Sequence, residues 1–155
     1  MTLERGPRLA IDVGTVRVGL AASDPDGLVA TPVETLRRDE AGKSDVRRIV
    51  DEVVERGARV VYVGLPRHLS GAEGASAQAA RAYAGLVARA IDPVPVHLVD
   101  ERMSSVSAHR SMKEAGRPGR KQRAVVDQVA AVIILQTALD AERRVGERTG
   151  ELVSA

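Results

Sequence analysis

The chain has 155 residues, with 23 Lys and Arg against 21 Asp and Glu, and its isoelectric point is alkaline, near 9.4. That length suits a single domain with one core and one active site, and is too short for two full lobes. With no cysteine there is no disulfide frame, thiolate nucleophile or Cys-based zinc site, and with no Phe or Trp a sheet that stacks bases on aromatic rings is not expected.

The N-terminus, Met1 to Pro7, runs straight into a strand without the charged start and apolar stretch of a signal peptide. No run approaches the ~18 consecutive apolar residues of a membrane span. A cytoplasmic protein is expected, with no membrane partner. Arg8 to Val13 reads as a short apolar strand, and Arg17 to Ser23 follows the Gly14-Thr15 turn. Leu28 to Leu36 begins after the turn-rich Asp24-Pro25-Asp26-Gly27, which completes an antiparallel meander. From Ser44 the spacing becomes helical, with Val46, Ile49, Val50, Val53 and Val54 on one side and Gly57 placed to end the helix. Arg59 to Gly64 is a continuous β-branched run, as in a strand covered on both faces. A loop to Gly74, an Ala-rich helix from Ala75 to Ile91 and a buried strand from Val94 to Val99 come next. A helix is expected to start near Ser104 or Ser105, a break to fall at Gly116 to Arg120, and a last helix to run from Gln122 to Arg143. The predicted organisation is one domain over 1–145 and a flexible tail over 146–155.

This order describes a mixed α/β sheet of five strands, a three-strand antiparallel meander followed by parallel crossovers, flanked by helices. Sites in such sheets form at the carboxyl ends of the parallel strands. Three acids sit in apolar frames where a lone charge is costly: Asp12 in Ile11-Asp12-Val13, Glu101 in Val99-Asp100-Glu101, and Asp127 in Val126-Asp127-Gln128. Asp12 and Glu101 fall near the ends of strands. Alternation sends Asp100 and Glu101 to opposite faces, so one of that pair enters the site. Asp127 shares a helical face with Ala130, Ala131, Ile134 and Ala138, which points it inward. An Asx turn at Gly14, an ion pair with Arg102 and a helix-dipole partner are the structural alternatives for the three acids in turn. Together they fit a two-metal phosphodiester site, and their hard oxygen ligands favour Mg²⁺ or Mn²⁺.

Arg110, Lys113, Arg117, Arg120, Lys121 and Arg123 are opposed only by Glu114 and interrupted by Gly116, Pro118 and Gly119. This basic segment reads as a clamp on backbone phosphates, or else as a solvated loop. Arg17 could reach the Asp12 carboxylate or a substrate phosphate. His68, in a loop directly after a parallel strand, is the histidine to watch, whereas His97 and His109 have no ligand spacing.

The stretch from Asp12 to Ala21, with Ser23-Asp24 and Gly27, resembles the opening of the YqgF family of RNase H-like proteins. Gly64-Leu65-Pro66 with Gly71 and Glu73-Gly74, Asp100-Glu101-Arg102-Met103-Ser104-Ser105, and Val126-Asp127 through Gln136 are similar to that family's remaining motifs, in order. The loop Arg67-His68-Leu69-Ser70 departs from it, since many relatives carry an Asn and an acidic residue there. The resemblance implies an RNase H-like fold with Asp12, Glu101 and Asp127 as the metal-binding set. It also implies an endonuclease for structured nucleic acid, with the 5′ end of precursor 16S rRNA as leading substrate and ribosomal particles as a further partner. Alternatives are Holliday junction resolution on branched DNA, which favours a homodimer over a monomer, and a non-catalytic RNA-binding assembly factor. Ile11-Asp12-Val13-Gly14-Thr15 also resembles the phosphate loop of actin-like ATPases, but such proteins need a second lobe.

Overall fold

The computed structural model describes residues 3–104 and 120–155, and in the second stretch the side chains from Gln128 onward. The elements run β1 (Arg8–Val13), β2 (Arg17–Ser23), β3 (Ala30–Arg37), α1 (Ser44–Arg56), β4 (Val60–Leu65), α2 (Ala75–Ile91), β5 (Val96–Asp100), a 3-10 turn (Glu101–Met103), α3 (Arg120–Val145) and β6 (Glu151–Leu152). They form one mixed sheet in the order β3-β2-β1-β4-β5-β6. β1, β4 and β5 are parallel neighbours, and the meander β1-β2-β3 is antiparallel.

The predicted α/β class and meander hold, but among the described residues the sheet has six strands where five were expected. The added strand lies in the segment expected to fray, where β6 pairs antiparallel with β5 through Leu152 opposite His97 and Glu151 opposite Leu98. Two residues are too few to show alternation, and the pairing is supported from outside by Arg81, which binds Glu151 at 2.6 Å. Among the described residues, the last helix starts at Arg120, slightly before the expected Gln122, while the helix and break expected from Ser105 to Gly119 lie outside them.

Strand alternation divides the core between two faces. Leu9, Ile11, Val18, Leu20, Val61, Val63, Val96 and Leu98 pack under α1 and α2. Ala10, Ala21, Val60, Tyr62 and Val99 face α3, whose contacts are Ala130, Ala131, Ile134, Leu135, Ala138 and Leu139. Small residues on both sides of that second interface let α3 lie close to the sheet. Helix α1 ends at Gly57 with φ 65°, and the Gly57 N–H donates back to the carbonyls of Val53 and Val54. Pro32 is accommodated because β3 is an edge strand with a register shift against β2.

The lie of α3 is fixed by a buried polar cluster at the amino end of β1. Glu142, 1% exposed, accepts from Arg8 Nε at 3.0 Å, from Arg148 at 2.9 Å and from the Tyr62 hydroxyl. Burial, followed by the Glu142 hydrogen bond, pushes the Tyr62 hydroxyl pKa well up, so Tyr62 remains a donor. Among the described residues, no helix is long and apolar enough to cross a membrane.

Candidate active site

Asp12 is buried near the carboxyl end of β1, directly opposite Gly19 of β2. Because Ala10 faces α3 and alternation has a period of two, Asp12 also belongs to the α3 face. The hairpin beyond it is tight: Gly14 N–H donates to the Arg17 carbonyl at 2.8 Å, and a Cβ at Gly14 would lie 2.7 Å from that oxygen. Glycine at position 14 is therefore accounted for by the turn itself.

Glu101 stands one residue past β5, in the 3-10 turn, and is 2% exposed. Its Oε1 would lie 2.7 Å from a Cβ placed on Gly64 of β4, with Ile134 Cδ1 of α3 at 2.5 Å from the same point. The Glu101 carboxyl therefore leans over β4, the strand between its own and that of Asp12, in the space that Gly64 leaves by having no side chain. Two buried carboxylates thus flank a side-chain-free stretch of the central strand on one face of the sheet. Burial, and then the charge of neighbouring Asp100, push the Glu101 pKa up to about 7. A cation in that space would favour the carboxylate.

Asp100 turns the other way and does structural work. It accepts from Arg102 N at 2.9 Å, capping the 3-10 turn, and from the Arg102 guanidinium at 2.7 Å, while Arg67 approaches at 3.8 Å. The Arg102 hydrogen bonds hold the Asp100 carboxyl below its usual range. Arg102 also reaches the Leu69 carbonyl at 3.3 Å, and Arg67 bridges on to Glu73, which Arg81 binds at 2.6 Å. The turn that presents Glu101 is thereby fastened to the loop after β4.

The remaining sequence-predicted residues divide by place. Arg17 begins β2 on the face of Asp12. His68 is exposed in a tight loop closed by its own backbone bonds to Ala72 and Gly71, with Nε2 3.0 Å from where a Gly74 Cβ would be. Asp127, Arg120, Lys121 and Arg123 are on the first turns of α3, and their side chains lie outside the described residues, as does Arg117 entirely. Among the described residues, no group of three or more His, Asp or Glu gathers as a metal site. Sequence reasoning missed the role of Gly64 and the Asp100-Arg102-Arg67 clamp. A glycine closing an otherwise β-branched central strand was the available signal for the first, while the clamp depends on loop geometry that no periodicity carries.

A mixed sheet with acids at the carboxyl ends of β1 and β5, and with a long helix over that face, is an RNase H-like fold. RuvC of T. thermophilus, in complex with a Holliday junction substrate, matches 93% of this chain and 99% of its own with a TM-score of 0.58 at 15% identity, a likeness of fold. The chain belongs to the RuvX family, described as Holliday junction resolvase, whose profile matches residues 6–141. Relatives from Nocardioides sp. (52% identical, covering 97% of this chain and 98% of the relative) and Clavibacter michiganensis (54%, 96% and 91%) are each named "Putative pre-16S rRNA nuclease". One from Thermobifida fusca carries the same name at 51% identity, over 97% of this chain and 98% of its own.

Proposed function

We propose that this chain is a divalent-cation-dependent endonuclease that trims the 5′ end of precursor 16S rRNA, meeting its substrate on ribosomal particles in the cytoplasm. The observation that carries the proposal is the pair of buried carboxylates, Asp12 and Glu101, on either side of Gly64. The names of the relatives support rRNA as the substrate.

The donor set fits Mg²⁺ or Mn²⁺, since both described acids offer hard oxygens, and Glu101 Oε1 lies in a space that a single Cβ added at Gly64 would fill. Asp12, Glu101 and Asp127 are the residues assigned to hold the cation. When bound, it supplies charge neutralisation at the phosphorus and at the leaving oxygen. Asp12 is rigid because it lies within a strand paired on both sides, and Glu101 is held by the clamped turn that follows β5. Burial keeps bulk water from both carboxylates, which strengthens their interaction with a cationic or electrophilic centre. Arg17, His68, Arg117, Arg120, Lys121 and Arg123 are assigned to the substrate backbone, where cations add affinity without reading sequence.

The test is cleavage of a precursor rRNA fragment and of a four-way DNA junction, side by side in Mg²⁺ or Mn²⁺. Cleavage of the RNA at a defined 5′ position, lost in Asp12→Asn and in Glu101→Gln with unchanged circular dichroism, is the expected result. Cleavage of the junction alone would replace rRNA trimming by junction resolution, and cleavage indifferent to Asp12→Asn would remove the site.

A further inference from the structure

We propose that Arg37, together with Arg17, forms a phosphate-binding pair that receives the nucleic-acid backbone next to the acidic site, on the side of β2 and β3. This extends the nuclease reading by giving the substrate a direction across the sheet. In the antiparallel ladder, Arg17 lies directly opposite Arg37, while the adjoining pair, Val18 and Leu36, packs under α1 and α2. Alternation therefore places both arginines on the α3 face, the face of Asp12 and Glu101. Gly19, the partner of Asp12, is two residues along β2 from Arg17. At ~3.4 Å per residue and ~4.8 Å between strands, the pair stands about 7 Å beyond the Asp12 row, one and two strands over. That offset is of the order of one nucleotide step.

What singles out Arg37 is how the other arginines are used. Arg38, next in the chain, goes to the opposite face, where it donates to the Gly14 carbonyl at 3.2 Å and lies over the Tyr83 ring. Arg47 caps the Gly42 carbonyl, Arg48 pairs with Glu34 and Glu52, and Arg56 with Glu52. Arg5, Arg8, Arg59, Arg67, Arg81, Arg102, Arg143 and Arg148 have carboxylate partners as well. Among the described residues, Arg37 is exposed, and no hydrogen bond or ion pair engages its side chain; Arg89 and Arg144 are similar but lie elsewhere, on α2 under the other face and at the far end of α3. A planar guanidinium with no partner inside the fold, as at Arg37, can grip phosphate oxygens in two places.

The test compares the wild-type chain with Arg37→Gln, Arg37→Lys and the control Arg89→Gln, using a precursor rRNA fragment and a DNA junction in chelator across a salt series. Arg37→Gln is expected to weaken both several-fold and to flatten the slope of log K against log salt by about 0.9 on duplex and 0.7 on single strands, the signature of one fewer neutralised phosphate. Arg37→Lys keeps most of the slope, Arg89→Gln changes nothing, and the melting temperature of Arg37→Gln is equal to or above wild type. Wild-type affinity and slope in Arg37→Gln would overturn the pair, as would weaker binding that tracks a fall in melting temperature. Failure of the wild-type chain to cleave either substrate when Mg²⁺ or Mn²⁺ replaces the chelator would instead remove the nuclease reading, with the salt slope still deciding the pair.

Discussion

At the scale of single residues, Glu101 and Gly64 make the sharpest predictions. Without divalent cations, the folded chain keeps a proton on Glu101 up to about pH 7, whereas an unfolded glutamate releases it near 4.5. Between those values the native state binds more protons than the unfolded one, so this group's contribution to stability falls as pH rises through the window and is flat above it. Urea unfolding in chelator at pH 5, 6, 7 and 8 should show wild type losing stability relative to Glu101→Gln by a few kcal/mol across that range. Comparison with the variant cancels His97, whose pKa is lowered chiefly by burial and whose contribution runs the other way. A parallel pair of curves would refute the shift. Gly64→Ala brings a methyl to 2.7 Å from Glu101 Oε1 and 2.5 Å from Ile134 Cδ1, so it should cost about 1–3 kcal/mol and abolish cleavage. Adding Ile134→Val should recover part of the stability but not the cleavage, because the carboxyl remains displaced.

At the scale of elements, the position of α3 over the sheet depends on Glu142. Replacing it with Gln strips the charge that compensates buried Arg8 and half-buried Arg148, and a cost of about 3–5 kcal/mol is expected in chemical unfolding. Tyr62→Phe removes one donor and should cost about 1 kcal/mol. A smaller loss for Glu142→Gln than for Tyr62→Phe would show that the ion pairs contribute little. Element existence was largely legible, because α1 and α2 are amphipathic at helical spacing and β4 is an unbroken run around the β-branched Val60, Val61 and Val63. That only one of Asp100 and Glu101 turns to the interior was legible too, from strand alternation, while the choice of Glu101 came from the family resemblance. The third acid's frame was readable only as a helical face, from Asp127 to Ala130, Ala131 and Ile134. What local pattern could not carry was anything made by two distant segments. β6 needs the open edge of β5 and Arg81, the Arg8-Glu142-Tyr62 cluster joins residues 134 positions apart, and the Arg17-Arg37 pairing depends on a register set beyond a bulge.

At the scale of the whole molecule, the proposed cation site would make folding and cation binding one linked equilibrium. The unfolded chain scatters Asp12, Glu101 and Asp127 along most of its length, so a cation that needs all three binds only the folded state. At a concentration 100-fold above its dissociation constant, such a ligand stabilises by about 2.7 kcal/mol. For a domain of this size each kcal/mol moves the melting temperature by ~2–4 °C, so saturating Mn²⁺ should raise it by roughly 5–10 °C. The shift must also depend on pH. A cation competes with the proton that burial keeps on Glu101, so the rise should be small at pH 6 and approach its full value at pH 8. Differential scanning fluorimetry at both pH values, with Mn²⁺ or chelator, measures this directly. Asp12→Asn should abolish the shift at either pH, and Glu101→Gln should leave a weaker one that no longer changes between pH 6 and 8. A full shift in Asp12→Asn would place the cation elsewhere on the surface, and no shift in wild type at millimolar Mn²⁺ would mean that the acids do not form a cation site until nucleic acid supplies the missing oxygens.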